Sequence, residues 1–152
     1  MDVKIINPFL SAGLYTFEQM FGIKPDYKEP FVLEINSGHP WEVSGLLGVT
    51  GDYNGVIAFR LHKTLAYKLL DLSGLIVPPE EKNDMAQQLV SEFTNIVAGS
   101  AVSSIKDMNL CISPPVTIAG PNHTIQWPRS YPVVGIPFVT PYGPYEVDVC
   151  FK

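Results

Sequence analysis

The chain has 152 residues, enough for one domain with a core of its own. With 46% hydrophobic and 16% charged residues it is too apolar to be disordered, and a net charge of −5 with scattered Lys and Arg argues against a nucleic-acid-binding face. No stretch nears the roughly 18 apolar residues that cross a bilayer, so no membrane association is expected.

The opening Met1-Asp2-Val3-Lys4 has no basic region feeding an apolar run, so no secretory signal is read and a cytoplasmic location is expected. Cys111 and Cys150 then fit free thiols in a reducing compartment; spacing alone leaves a single disulfide open. Residues 7–21 predict a first helix, with Asn7 as cap, Pro8 at the first helical position and Gly22 as terminator. Phe9, Ala12, Leu14, Tyr15, Phe17 and Phe21 give it a broad apolar face.

Residues 30–60 read as strands. Phe31, Leu33 and Ile35 alternate with Val32, Glu34 and Asn36, and Trp41 to Val49 runs into a turn cluster, Thr50 to Gly55, before the apolar run Val56 to Leu61. That pattern predicts a hairpin. A short helix follows over 62–73, with Leu65, Leu69 and Leu72 on one face and Gly74 as its stop. The longest helix is predicted over 80–107, its start favoured by Glu80 and Glu81. Strands return at about Cys111 to Ala119 and Val133 to Thr140, with Pro137 marking an edge position or a bulge. In the last strand Tyr145, Val147, Val149 and Phe151 alternate with Glu146, Asp148, Cys150 and Lys152, which predicts one buried and one wetter face. The order of helix, strands, helix, long helix, strands is that of an α+β domain spanning 1–152, not of repeating βαβ units.

At about 100° per residue, Met85, Leu89, Phe93, Ile96 and Val97 form an apolar sector of the long helix. Asp84, Gln88, Ser91, Glu92, Asn95 and Gly99 fall together on another side, so Glu92 and Asn95, at i and i+3, project as a pair. Taken alone, that is the ordinary solvated face of a helix. Other constellations carry less. His39, His62 and His123 have no metal-ligand spacing with one another or with the cysteines, so no metal site is read. Gly48 to Gly55 lacks the Gly-Lys-Ser/Thr ending of a phosphate loop, and Ser100 lacks a Gly-x-Ser-x-Gly context. Trp41 and Trp127 read as core or interface residues, and Asp26 and Asp52 as turn residues.

The run Glu92-Phe93-Thr94-Asn95-Ile96-Val97-Ala98-Gly99 resembles the signature helix of the CheC/CheX/FliY phosphatases. Three further segments resemble the CheX type: Ile6-Asn7-Pro8-Phe9, Ser113-Pro114-Pro115-Val116 leading to Gly120, and Ile136 to Tyr145. Together they run nearly the whole chain in order. The first helix has Glu18 but Phe21 at i+3, so it lacks a second Glu/Asn pair, which favours the single-site CheX type. One departure stands out: the family pattern usually has Asp or Ser four residues before the Glu, and here that residue is Gln88.

The resemblance implies a CheX-like antiparallel or mixed sheet packed with a long central helix and one or two others. It implies hydrolysis of the aspartyl phosphate of a phosphorylated CheY-like response regulator in chemotaxis. Asn95 would orient the attacking water, Glu92 would pair with a regulator Lys, and Gln88, Ser91 and Gly99 would contact the partner. No cofactor of its own is implied, since the regulator supplies Mg²⁺, and a homodimer formed through strand pairing of the apolar C-terminal strands is expected. The competing reading is a non-catalytic docking module of the same family, binding a signalling or flagellar-switch partner, and Gln88 keeps it open.

Overall fold

The computed structural model describes residues 3–34, 38–129 and 131–152. Helix α1 (Val3–Phe21) precedes two short strands, β1 (Asp26–Tyr27) and β2 (Phe31–Val32). The hairpin β3 (Val43–Gly51) and β4 (Gly55–Leu61) is followed by α2 (Lys63–Leu72). A 3₁₀ turn at Pro79–Glu81 leads into α3 (Lys82–Ser104). Then come β5 (Leu110–Ile112), β6 (Val116–Ala119), β7 (Val134–Thr140) and β8 (Gly143–Phe151). The strands form one sheet in the order β1-β7-β8-β4-β3-β5, with β2 also on β7 and β6 also on β3. Every pairing is antiparallel, which is the α+β architecture expected from the sequence.

Helix α1 starts four residues earlier than predicted, so Pro8 lies inside it and Asn7 does not cap it. Burial explains the extension: Ile5 joins Phe9, Ala12 and Phe17 in the core, which favours a further turn despite the N–H that Pro8 cannot donate. Gly22, at φ 69°, ends the helix as expected. Helix α3 ends at Ser104, three residues early; Ile105 is extended and Asp107 turns the chain at φ 64°. The predicted strand over 31–36 is limited to Phe31–Val32 among the described residues, and Ile35 and Asn36 lie outside them.

The single strand expected at 111–119 is two. Prolines 114 and 115 interrupt the ladder, and Ser113 spans the break by donating its N–H to the Gly48 carbonyl (2.9 Å) and accepting from the Gly48 N–H through its hydroxyl (2.8 Å). Pro137, expected at an edge position or a bulge, lies instead in β7, which is paired on both sides and is next to outer in the sheet. It faces the gap between β1 and β2, where its carbonyl accepts from the Lys28 N–H. Strand β8 is central, paired with β4 and β7, so the C-terminal strand has no free edge for pairing with a second copy.

All three helices lie on one side of the sheet, with α3 packed against β3, α1 and α2. The principal core lies between them, built on Phe9, Phe17, Phe59, Phe93 and Tyr145, all essentially buried. Phe93 packs against Phe59 (ring centroids 4.4 Å apart) and Phe21 (6.1 Å), so the first helix spends its i+3 position on the core. The other face of the sheet was predicted to be wet, and it is not. Glu146, Asp148 and Cys150 are buried, and Trp127 and Val133, with Leu33, Ile125 and Tyr131 beside them, add a second small core with Ala58 and Cys150 on that face. Both cysteines are free thiols, Cys111 exposed and Cys150 buried, and both tryptophans are buried.

Candidate functional site

Helix α3 is held by what lies under its outward face. Thr94 is buried, its hydroxyl donating to the Val90 carbonyl (2.7 Å), and it fits over Gly45 of β3, where a Cβ would overlap the Thr94 hydroxyl. Thr117 of β6 donates to the Gln87 carbonyl (3.2 Å), fixing the flank of the helix. Phe93 and Thr94 are thus buried between Glu92 and Asn95, and the two polar residues keep their spacing because the residues joining them cannot move.

The buried face runs through Ala86, Val90, Phe93, Thr94, Val97, Ala98 and Ala101. It is rotated by roughly 80° from the predicted apolar sector. Ile96, placed in the core by the sequence pattern, is 37% exposed and lies beside the polar stripe, while Met85 and Leu89 are only partly buried. Small residues, Ala86, Ala98 and Ala101, take the buried positions and let the helix approach the sheet closely. A count of large apolar residues misses them.

Directly opposite that face lie the residues of interest. Glu92 and Gln88 are exposed, and Asn95, Ser91 and Gly99 are half-buried. Among the described residues neither Glu92 nor Asn95 takes part in a side-chain hydrogen bond or ion pair, so both polar heads are available to another molecule. A Cβ at Gly99 would meet only Ile112 Cδ1, at an ordinary 3.8 Å. The chain's own packing therefore does not require glycine there, although glycine costs a helix about 1 kcal/mol relative to alanine.

A second polar constellation, which sequence reasoning missed, lies on the other side of the sheet. Arg60 is 3% exposed; its Nε donates to Ser44 Oγ (3.2 Å) and its Nη1 lies 3.6 Å from Asp148, which is 0% exposed. Glu146 is the cross-strand neighbour of Arg60. Burial, and then the adjoining Glu146, push the Asp148 carboxyl well above the usual carboxylate range, with Arg60 opposing. His39 and His123 close the group, their rings 5.3 Å apart. His39 Nδ1 accepts from the Trp41 N–H, so the proton of the neutral ring sits on Nε2 and is donated to the His123 carbonyl. Burial, foremost, holds the His39 pKa below its ordinary value. The one sequence signal for this group was Arg60, a cation inside an apolar strand. Its partners lie up to 88 residues away in the sequence, from Arg60 to Asp148. Among the described residues no group of three or more His, Cys, Asp or Glu side chains is arranged to hold a metal, and no helix is long and apolar enough to cross a membrane.

Residues 43–139 match the family described as chemotaxis phosphatase CheX. No curated protein matches the chain. Among solved structures, a CheC-like superfamily protein from Shewanella sp. PV-4 superimposes with a TM-score of 0.88 at 29% identity, covering 100% of this chain and 99% of that one. A chemotaxis protein CheX from Desulfovibrio desulfuricans gives 0.87 at 28%, covering 99% and 100%. CheX from Borrelia burgdorferi, solved as a CheX–CheY–BeF3–Mg²⁺ complex, gives 0.83 at 24%, covering 97% of each chain.

Proposed function

The chain belongs to the chemotaxis phosphatase CheX family, and from that membership we propose that it hydrolyses the aspartyl phosphate of a CheY-like response regulator. The observation that carries the reading is the pair itself: Glu92 and Asn95, unengaged and one helical turn apart, on the outward face of a helix whose other side is locked into the core. The Borrelia protein's complex with CheY, BeF3 (a phosphoryl mimic) and Mg²⁺ supports a phosphorylated regulator as partner and is consistent with Mg²⁺ supplied by that partner.

In the reaction, water attacks phosphorus, the bond from phosphorus to the Asp carboxylate oxygen breaks, and inorganic phosphate leaves. With the regulator's Mg²⁺ and Lys around the phosphoryl group, what remains is to place the water in line. The Asn95 carboxamide accepts from and donates to that water without adding negative charge beside phosphate. Glu92 pairs with the regulator Lys and sets the register of the docked helix. Gln88, Ser91 and the bare backbone at Gly99 complete the contact surface, with Ile96 at its apolar rim. We assign the protein to the cytoplasm, where response regulators work. If it forms a homodimer by strand pairing, the pairing uses the outer strands β1, β2, β5 or β6, since β8 is internal.

The test is to phosphorylate candidate regulators and follow loss of the aspartyl phosphate with and without the protein. Wild type should accelerate the loss and Asn95→Ala should not. Asn95→Asp should be nearly as poor as Asn95→Ala, because a carboxylate there faces the phosphoryl charge. Near-wild-type hydrolysis by Asn95→Asp would defeat the assignment. Regulator binding with no acceleration by wild type would support the docking-module reading, which the Gln88 departure keeps open.

A further inference from the structure

Two chain segments line a cavity of about 540 Å³ on the sheet face turned away from α3, together with Arg60 and Glu146. Residues 38–41, leading towards β3, carry His39 and Trp41, and residues 120–127, between β6 and β7, carry His123 and Trp127.

The two histidines join these segments. His39 donates from Nε2 to the His123 carbonyl, and its Nδ1 accepts from the Trp41 N–H at 3.1 Å. His123 donates from Nδ1 to the Gly120 carbonyl at 2.8 Å, and its Nε2 accepts from the Ser44 hydroxyl at 2.7 Å. Arg60 Nε donates to that same hydroxyl oxygen at 3.2 Å. Each ring thus uses one nitrogen as donor and the other as acceptor, the pattern of neutral imidazole.

The rings differ in what a second proton would meet. At His123 the new N–H would face a hydroxyl, which can turn and accept it. At His39 it would face the backbone N–H of Trp41, which can only donate. Arg60 Nη2 lies 2.8 Å from His39 Nε2, and the His123 ring is 5.3 Å away, so a charge on His39 would sit against a guanidinium. Glu146 acts on the ring in the opposite sense, and Asp148 contacts Arg60 at 3.6 Å. Burial, foremost, holds His39 below its ordinary 6.5. The neutral ring is therefore the resident form above that value, and the proton arrives only as pH falls below it.

We propose that His39 is an acid-sensitive latch: neutral, it pins residues 38–41 to the segment carrying His123; protonated, it gives up the Trp41 amide, turns away from Arg60 and lets its side of the cavity open. The latch lies across the sheet from Glu92 and Asn95, so its test needs no phosphatase activity.

The readout is hydrogen exchange at the Trp41 amide, followed by NMR on the full chain from about pH 8 to about pH 5. It is expressed as a protection factor, which removes the intrinsic pH dependence of exchange. In wild type the factor should fall about tenfold, the worth of one hydrogen bond, alongside a His39 ring titration with its midpoint below 6.5. His39→Asn sets an amide oxygen in place of Nδ1, an acceptor that does not titrate, so its Trp41 protection should stay constant. His62→Gln removes the second imidazole beside Trp41, whose ring centroid is 5.1 Å away, and should leave the fall in place. Four results overturn the proposal: constant protection in wild type, a His39 midpoint at or above 6.5, a fall that persists in His39→Asn, or one that vanishes in His62→Gln.

Discussion

Gly45→Ala should destabilise the protein while leaving the proposed phosphatase site intact. The new Cβ would overlap the Thr94 hydroxyl and lie 3.2 Å from Thr94 Cβ and 3.3 Å from Val90 Cγ1, against two side chains buried under α3. Relief requires the Thr94 hydroxyl to rotate away from the Val90 carbonyl or the helix to lift from β3. Overpacking of this kind costs about 1–3 kcal/mol, and losing the Thr94 bond costs about 1 more. We expect a loss of about 2–4 kcal/mol, which a domain with about 5–15 kcal/mol of stability survives. In a urea titration the midpoint should fall with the slope unchanged, and the melting temperature should drop by about 5–10 °C. Thr94→Ala removes the overlapping hydroxyl, so in a double-mutant cycle the pair should couple by more than about 1 kcal/mol. Because Glu92 and Asn95 ride on one helix and keep their mutual spacing, kcat/KM of the folded variant should stay within about threefold of wild type, a difference below 1 kcal/mol. A Gly45→Ala stability within about 0.5 kcal/mol of wild type, or a strictly additive cycle, would refute this account of how α3 is seated.

Glu92→Ala and Asn95→Ala remove exposed or half-buried heads that have no partner in the chain, so thermal unfolding should place both within about 0.5 kcal/mol of wild type while regulator dephosphorylation is lost. The Asp148 carboxyl titrates above its ordinary 3.8, first through burial. Its contribution to stability is therefore full below that value and lost as pH rises through the folded pKa. Asp148→Asn lacks this loss, so in urea midpoints it should gain on wild type as pH rises above 3.8, and a constant difference would contradict the burial of an ionisable group there. Tyr145, fully buried, donates its hydroxyl to the Gly13 carbonyl at 3.2 Å, and burial pushes its pKa up. Tyr145→Phe should cost about 1 kcal/mol in the same assay and abolish no activity.

The long helix and its polar pair were legible because both are local: i and i+3 on one helix is a statement about neighbouring residues. The face that helix buries was legible only in part. Large apolar residues at 85, 89 and 96 pulled the predicted sector sideways, whereas Ala86, Ala98 and Ala101 occupy the contact. The start of α1 was misplaced because Asn7-Pro8 is a good local start signal that the burial of Ile5 outweighs. The polar group on the far face was not legible at all. Alternation in β8 shows that Glu146 and Asp148 share a side, but not that chain segments around residues 40 and 125 cover that side. His39 and His123, in hydrogen-bonding contact, are 84 residues apart.

The short outer strands have a consequence for life in a crowded cell. The sheet ends in strands of two residues on one side, β1 and β2, and of three and four on the other, β5 and β6. Pro30 lies between the first pair, and Pro114 and Pro115 between the second. A foreign strand laid along either margin finds a few hydrogen-bonding groups and then a proline with no N–H to offer. The two long central strands, β3 and β8, apolar enough to seed aggregates, are thereby kept from acting as templates.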